Sequence, residues 1–213
     1  MAAPSANQFA RPSPTTAQHV LDDLDGKVDL ILDGGPTPIG VESTVLDLTQ
    51  AVPTILRPGG LALEALKAII PTVTYSPRYA NLDETASATP SPGMLLKHYS
   101  PSVALLLFRG PAAAVLTQML AQTQAAQQAG KKVGVMVEDE WCPHFTTLGA
   151  TIAPLGAAAD LAQVAQKLFA QMRALEQAGV DLIMTHTFAQ DGLGLALQDR
   201  LIRATEGKVI EVR

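Results

Sequence analysis

The first polar residues of the chain lie in a stretch punctuated by prolines, APSANQFARPSPT, which carries Ser5, Asn7 and Ser13. Two hydroxyls, one carboxamide and the backbone N–H groups of the turns can surround the oxygens of a phosphate or a carboxylate, above all where a loop leads into a helix. The same residue types are also common in turns and helix caps that bind no ligand. From these residues alone, both interpretations stay open.

Two later stretches carry polar groups that could face the same ligand. In GGPTPIGVEST the glycines allow close approach of the backbone, and Ser43 lies beside them. The spacing matches neither GxxxxGK(S/T) nor GxGxxG, so no nucleotide-binding loop of those types is predicted. Arg57 ends an apolar stretch before a Pro-Gly-Gly turn, where a guanidinium can bind phosphate through two nitrogens. A plain loop and an ordinary surface arginine are the alternatives.

A third group of polar side chains, Lys97, His98 and Tyr99, lies in a long segment rich in Pro, Ser, Thr and Ala. A segment that carries such donors can close over a ligand as a lid. A solvated tether has the same composition and is the alternative.

The remaining charged and metal-ligating residue types are interpreted as structural. Residues 138–140 are expected to form a solvated loop, and the isolated histidines together with the single cysteine give no metal-ligand spacing. The stretch GLGLALQDRLIRAT lacks the third glycine of a phosphate loop and predicts the start of a helix. Three charged side chains of that helix are expected to face outward: Asp199, Arg200 and Arg203.

Composition excludes several classes of protein. Of the 213 residues 47% are apolar and 16% charged, which indicates a folded chain with a core rather than a disordered one. The net charge of −5 argues against a bulk electrostatic contact with nucleic acid. No apolar run approaches the ~20 residues that span a bilayer, and no secretory signal is visible. A single cysteine fits a reducing compartment, so we expect a cytoplasmic protein without a membrane partner.

The elements that must position these residues divide the chain into two α/β units. In residues 1–71 helix and strand signals alternate, with a helix that starts near Ser13 and ends at Gly26. Residues 72–102 have no strong period and are interpreted as a linker. The elements expected before this linker are strands at 28–32, 43–48 and 54–57, and a helix at 61–70.

From residue 103 to residue 213 the pattern is a regular alternation of strands and helices. Such alternation is typical of a mostly parallel sheet covered on both faces. The expected strands are residues 103–108, 131–137, 151–153, 180–186 and 208–212, and the expected helices are residues 111–128, 158–178 and 193–205.

Five motifs occur in one order along the chain and together resemble the Sua5-type threonylcarbamoyl-AMP synthases. The motifs are APSANxFxRPSPT, DGGPxPxGVESTVxDL, ILRPGG, SPGMxxxHYSP and GLGLAxxDRLxRAT. The resemblance covers essentially the whole chain. It implies the C-terminal part of a YrdC-like twisted-sheet domain, then a linker, then a Rossmann-like Sua5 domain.

The resemblance also implies an activity and a set of site residues. The family condenses L-threonine, bicarbonate and ATP to threonylcarbamoyl-AMP and pyrophosphate, with Mg²⁺ expected on the phosphates. The product serves a modification of adenosine beside the tRNA anticodon, so tRNA or the transferase machinery is a possible partner. The implied threonine contacts are Ala3 and Ser43, and the implied ATP contacts are Ser5, Asn7, Ser13, Arg57, His98 and Tyr99.

The family's N-terminal Lys-x-Arg motif, which helps to hold ATP, has no counterpart in these 213 residues. We therefore expect the chain by itself to lack measurable synthase activity, since each well-placed electrostatic donor is worth ~10²–10³ in rate. The alternative function is a non-catalytic module that binds a nucleotide or a partner. The motifs give no expectation for the oligomeric state.

Overall fold

The computed structural model describes residues 4–75, residue 77 and residues 98–213. Within these residues the chain forms a three-stranded sheet near the N-terminus and a five-stranded sheet in the C-terminal half. The predicted α/β class is confirmed. The division into residues 1–71, 72–102 and 103–213 stays a prediction.

The N-terminal part consists of two short helices and the smaller sheet. The first helix begins after Thr16, three residues later than the sequence predicts. The Thr16 hydroxyl caps it by accepting a hydrogen bond from the His19 backbone N–H. Strands β1 and β2 are antiparallel, and β3 pairs parallel with β2. The elements are α1 (Ala17–Leu24), β1 (Val45–Asp47), β2 (Thr54–Arg57), α2 (Leu63–Lys67) and β3 (Thr74–Tyr75).

The C-terminal half is a parallel sheet with helical crossovers. Its strands lie in the spatial order β6-β5-β7-β4-β8, and all neighbouring pairs are parallel. In chain order the elements are β4 (Ala104–Arg109), α3 (Ala112–Gln128), β5 (Val133–Val137), α4 (Cys142–Thr146), β6 (Thr151–Pro154), α5 (Leu161–Gln177), β7 (Leu182–His186), α6 (Gly194–Ala204) and β8 (Val209–Glu211).

Helices cover both faces of this sheet, as the continuous apolar strands predict. On one face α3 and α4 pack through Val115, Met119 and Phe145. On the other face α5 and α6 pack through a larger cluster that includes Phe169 and Leu197. Strands β5 and β7 are buried along their whole length, so the sheet is a rigid base for the loops at its edges.

Two expectations for the N-terminal part differ from the structure. Residues 28–32 are expected to form a strand, yet they pair with no described strand, and Leu30 and Leu32 are 74% and 85% exposed. An apolar run forms a strand only beside a partner that takes its hydrogen bonds, and the described residues offer none there. The second difference is β3, which lies within the expected linker and carries too short an apolar pattern to be predicted.

The N-terminal part is docked on α5 through two buried contacts. Arg173 donates to both carboxylate oxygens of Asp23, at 3.1 and 2.6 Å, and to the carbonyl of Pro12 at 2.5 Å. Gly40, with φ +80°, lies so close to α5 that a Cβ at this position would be 2.3 Å from the Ala165 carbonyl oxygen. The glycine therefore sets how closely the loop before β1 approaches the C-terminal half.

We expect Gly40→Ala to lower the free energy of unfolding by about 2–4 kcal/mol, because it adds a steric clash to a left-handed backbone conformation. Gly26→Ala is the matched control, since Gly26 has φ +69° but no atom lies within 4 Å of the position that its new methyl group would take. The control should cost only about 1 kcal/mol. Urea unfolding of both variants measures the difference, and equal losses would contradict the close approach at Gly40.

Candidate active site

Four of the five sequence motifs meet directly at Glu42. The Ser13 hydroxyl donates to Oε1 of Glu42 at 2.5 Å, and Nε of Arg200 donates to Oε2 at 2.8 Å. The backbone carbonyl of Glu42 accepts a hydrogen bond at 3.0 Å from the N–H of Gly60, in the turn after Arg57. One acidic residue thus links the first loop, the glycine-rich loop, the turn after β2 and helix α6.

Arg200 brings a fixed positive charge to Glu42 from the interior of the C-terminal half. Its side chain has no exposed surface, and its Nη1 donates to Asp199 at 2.8 Å. Asp199 also accepts from Nε of Arg203, at 3.0 and 3.1 Å. Two guanidinium groups and two carboxylates therefore balance their charges in a buried network, which is the condition for burying ions at acceptable cost.

The environment of Glu42 keeps its side chain ionised. Burial opposes the charged form, but the Arg200 charge and the hydrogen bonds from Ser13 and Arg200 outweigh it. The pKa of Glu42 therefore lies below its usual range. Because the carboxylate accepts the Ser13 proton, the Ser13 oxygen presents only its lone pairs to a ligand.

Ser43 and Arg57 are neighbours at one end of the small sheet, where β1 begins and β2 ends. Arg57 donates to the Ser43 carbonyl from Nε at 3.2 Å and from Nη2 at 3.0 Å, and Nη2 is also 3.4 Å from the Ser43 hydroxyl oxygen. Gly59 permits this geometry, since a Cβ there would be 2.2 Å from the Glu42 carbonyl oxygen. The arginine thus fixes the backbone that carries the serine.

Ser5 and Ser13 line one pocket of about 200 Å³ between the first loop and the glycine-rich loop. Glu42 forms part of its wall, and Gly40 and Thr37 lie beside it. Asn7 instead acts inside the first loop, where its Nδ2 donates to the carbonyls of Gln8 at 2.8 Å and Arg11 at 3.2 Å. Ala3 lies outside the described residues.

His98 and Tyr99, from the motif SPGMxxxHYSP, return the chain to the C-terminal half beside Arg200. The Tyr99 ring is 1% exposed and stacks on Phe169, with ring centroids 5.3 Å apart, while the Arg200 guanidinium lies 5.1 Å from its centroid. The His98 ring contacts Tyr99 edge-on, at 4.1 Å between centroids. Burial and the three nearby arginines, against the opposing charge of Glu42, hold the pKa of His98 below its usual value. At neutral pH this histidine is therefore uncharged.

Two family models match the chain. Residues 61–205 match the model described as threonylcarbamoyl-AMP synthase, C-terminal domain, and residues 1–59 match a model described as telomere recombination. The first of these covers more than half of the chain. The chain belongs to the threonylcarbamoyl-AMP synthase family.

Curated relatives agree along the whole chain. The threonylcarbamoyl-AMP synthase of Pyrococcus abyssi is 39% identical over 214 residues, which cover 100% of this chain and 59% of the relative. The Bacillus subtilis enzyme of the same name is 39% identical over 210 residues, covering 99% of this chain and 58% of the relative. The chain thus spans somewhat less than three fifths of the length of these two synthases.

Solved structures of the family superpose on the chain. The crystal structure of Pyrococcus abyssi Sua5 complexed with L-threonine gives a TM-score of 0.86 at 37% identity, covering 99% of this chain and 59% of that one. A variant of the same protein, with a consecutive histidine and tyrosine both replaced by alanine, gives 0.82 at 36% identity, covering 98% and 58%. The predicted resemblance is confirmed.

The expectation that Asp199, Arg200 and Arg203 face outward is wrong. All three lie in helix α6 and are at most 2% exposed. The N-terminal loops pack on this helix, so the three charged side chains are paired in the buried ion network instead of being solvated. The sequence does contain a signal, because Arg200 lies three residues after Leu197 and one before Leu201, within the apolar stripe of the helix.

The expectation of a solvated loop at residues 138–140 is wrong for Glu138. Glu138 follows β5 and is 5% exposed, and its Oε2 lies 2.5 Å from Nε2 of His186 at the end of β7. The Trp141 ring stacks on His186, with centroids 4.3 Å apart. Because β5 and β7 are neighbouring parallel strands, residues that are distant in sequence meet at their carboxyl ends, which also shows that His186 is not isolated.

The described residues also bear on metal binding and membrane insertion. Among residues 4–75, 77 and 98–213, no group of three or more His, Cys, Asp and Glu side chains could hold a metal ion. None of the helices in this part of the chain has the length and apolar character needed to cross a membrane.

We expect Glu42→Gln to lower the free energy of unfolding by about 3–5 kcal/mol at pH 7, since it removes one of the two negative charges that pair with the buried Arg200 guanidinium. The folded-state pKa of Glu42 is below the ordinary value of 4.5, so this stabilisation is complete above that pH and is lost as the pH falls through the folded-state pKa. The difference between parent and variant should therefore shrink in acid.

Urea unfolding between pH 7 and pH 3 measures this trend. Glu64→Gln is the control, because Glu64 is exposed in the first turn of α2, and it should change stability by no more than about 0.5 kcal/mol at any pH. A Glu42→Gln effect that is independent of pH would contradict the ionised pair.

Proposed function

We propose that this chain takes part in the synthesis of threonylcarbamoyl-AMP from L-threonine, bicarbonate and ATP, with release of pyrophosphate. The single observation that carries the proposal is the meeting of the motifs around Glu42 beside a pocket: four of them meet directly, and SPGMxxxHYSP is joined through Tyr99 and Arg200. The family membership supports the reaction class. The chain spans only 59% of the Pyrococcus abyssi relative, so the activity of the whole enzyme is part of the proposal.

Two solved relatives support the location of the site. The Pyrococcus abyssi protein crystallised with L-threonine shares the fold of this chain at a TM-score of 0.86. A His-Tyr pair was replaced in the second structure, and the sequence of this chain contains a single His-Tyr pair, His98-Tyr99. In this chain that pair lies against Arg200 and therefore beside the Glu42 carboxylate.

We assign L-threonine to the side of the site that carries Ser43, with Ala3 as a second contact by resemblance to the family. ATP is assigned to Ser5, Ser13 and Arg57, with Asn7 and the His98-Tyr99 pair shaping its surroundings. The geometry refines two of these roles. Ser13 gives its proton to Glu42, so it would accept a hydrogen bond from a ribose hydroxyl or an amino group. Asn7 uses its amide nitrogen to hold the loop, so its Oδ1, which has no hydrogen-bond partner among the described residues, is the atom that remains to accept a hydrogen bond from a ligand.

The proposed chemistry needs alignment more than a covalent residue. The threonine amine and bicarbonate give a carbamate and water; a carbamate oxygen then attacks the α-phosphorus of ATP, and pyrophosphate leaves. Held donors and cations lower the barrier by orienting the two reactants and stabilising charge on the phosphate oxygens. Arg57 supplies a planar cation suited to this task. ATP is taken to arrive as its Mg²⁺ complex, with few dedicated protein ligands for the metal.

Further partners follow from the product. Threonylcarbamoyl-AMP is a mixed anhydride, so an acyl-transferring enzyme can consume it, and the resemblance to the family implies that the acceptor is an adenosine of tRNA. We propose that this transfer machinery is a partner and that the chain acts in the cytoplasm.

Pyrophosphate release tests the proposed function. A chimera that joins this chain to the part of the Pyrococcus abyssi synthase outside its match should release pyrophosphate only when both ATP and threonine are present. The relative itself is the positive control, and the 213-residue chain alone is the comparison, for which we expect no release above background. A folded chimera that binds nucleotide without turnover would favour a binding module instead.

We expect Arg57→Ala in this chimera to weaken ATP about ten- to a hundredfold, the worth of a charge-assisted hydrogen bond. Threonine should weaken less, about threefold, because Arg57 holds the Ser43 carbonyl but does not itself contact threonine in this assignment. Calorimetric titration of each ligand measures both affinities.

Arg109→Ala is the matched control for Arg57→Ala. Arg109 also ends an apolar strand, but it pairs with Glu211 at the sheet edge, and its replacement should leave both affinities unchanged. Unchanged ATP affinity in Arg57→Ala would remove this arginine from the site, and equal losses for both ligands would indicate unfolding.

A further inference from the structure

We infer that Arg200, in the last helix of the C-terminal half, is a positioning residue of the proposed active site. It acts through Glu42, which it holds in place for Ser13 and for the backbone of Ser43. This inference rests on the proposed function and adds to it a task for the C-terminal half. The C-terminal half would then contribute a side chain that orders the proposed site.

Two carboxylates fix the guanidinium plane of Arg200. Its Nε donates to Glu42 and its Nη1 donates to Asp199, so two edges of the plane are held. Asp199 is itself held by Arg203. The guanidinium plane of Arg200 therefore cannot rotate without breaking a buried ion pair. The hydrogen bond from its Nε in turn restricts the position of the Glu42 Oε2 atom.

Glu42 in turn holds the groups on both sides of the proposed site. Its other oxygen accepts the Ser13 proton, and its backbone carbonyl accepts the N–H of Gly60. Ser43 is the next residue in the chain and is fixed in turn by Arg57. A shift of Glu42 would thus move a wall of the 200 Å³ pocket and both sides of the proposed site together.

Tyr99 covers Arg200 at the cost of backbone strain. Tyr99 contacts both Phe169 and the guanidinium, and it has a φ of +62°, a left-handed conformation that is costly for a side chain of this size. The next residue, Ser100, donates its backbone N–H to the carbonyl of Ala10 at 2.8 Å, and Ala10 has a φ of +64°. The segment Tyr99-Ser100 therefore contacts Arg200 through the tyrosine ring and the first loop through the Ser100 backbone.

Arginine is required at this position on chemical grounds. A lysine keeps the positive charge but has a single nitrogen, which cannot serve Glu42 and Asp199 in the fixed directions of a planar fork. Arg200→Lys therefore removes the positioning while it keeps the charge. Arg173→Lys is a matched control, because Arg173 is also buried and also joins the C-terminal half to the N-terminal part, but through Asp23 rather than Glu42.

Hydrogen exchange of the 213-residue chain, followed by mass spectrometry, tests the positioning without any turnover. In Arg200→Lys we expect the backbone amides of residues 40–44 and 57–61 to exchange about tenfold faster. The loss of the Glu42 contact lowers the free energy of local opening of these segments, and this free energy sets their exchange rate. Strands β5 and β7 should keep their protection. In Arg173→Lys the faster exchange should appear in residues 8–12 and 22–25 instead.

The kinetic arm uses the chimera with the Pyrococcus abyssi segment. Arg200→Lys should lower kcat/KM for both substrates about tenfold or more, whereas Arg173→Lys should lower it less than about threefold. Unchanged exchange at residues 40–44, or equal kinetic losses in both variants, would overturn the inference. If the parent chimera shows no turnover, the proposed function fails, and the exchange experiment still decides whether Arg200 positions Glu42.

Discussion

The hydrogen-bonded ion pair between Glu42 and Arg200 is the contact on which the arrangement of the site depends. Removing one member of a buried pair leaves an uncompensated charge and costs about 3–5 kcal/mol, whereas the intact pair contributes little net stability. Its value here is geometric. It fixes one carboxylate between a loop that carries hydroxyls and a helix that is anchored in a parallel sheet.

The sheet makes this fixation possible. Helices α5 and α6 pack on the same face, and each presents one buried arginine to the N-terminal part: Arg173 to Asp23 and Arg200 to Glu42. Gly40 lets the glycine-rich loop approach α5 closely enough for the second pair to form. Strand β2 supplies Arg57, and the loop before β1 supplies Ser43. The site is therefore built by two parts of the chain, and neither contains all of its groups.

Much of the fold was predictable because its signals are local. Strands β4 to β8 and helices α3, α5 and α6 follow from apolar runs and helical periods, and their bounds agree with the expectation to within a few residues. The short helix α4 and strand β3 were not predicted, since five and two residues are too few to show a period. Residues 28–32 show the opposite case, in which an apolar run has no described strand beside it.

The candidate site is predictable in part. Ser5, Ser13, Ser43 and Arg57 are candidates because hydroxyls and a cation in turns are visible in the sequence, and their contacts with a ligand stay predictions. Glu42 and Arg200 were missed, because their importance comes from a contact between residues 158 positions apart. The position of Arg200 between Leu197 and Leu201 in the helix is the available signal for its burial. Sequence patterns show what an element can bury, whereas the partner of a buried charge depends on tertiary packing.

A double-mutant cycle tests the central claim that Glu42 and Arg200 act as one unit of the site. L-threonine affinity would be measured by calorimetry in the chimera for the parent, Glu42→Gln, Arg200→Lys and the double variant. We expect each single change to weaken threonine about tenfold and the double variant to be no weaker than either, because both changes remove the same contact. Losses that simply add, or an unchanged affinity in both single variants, would contradict the account.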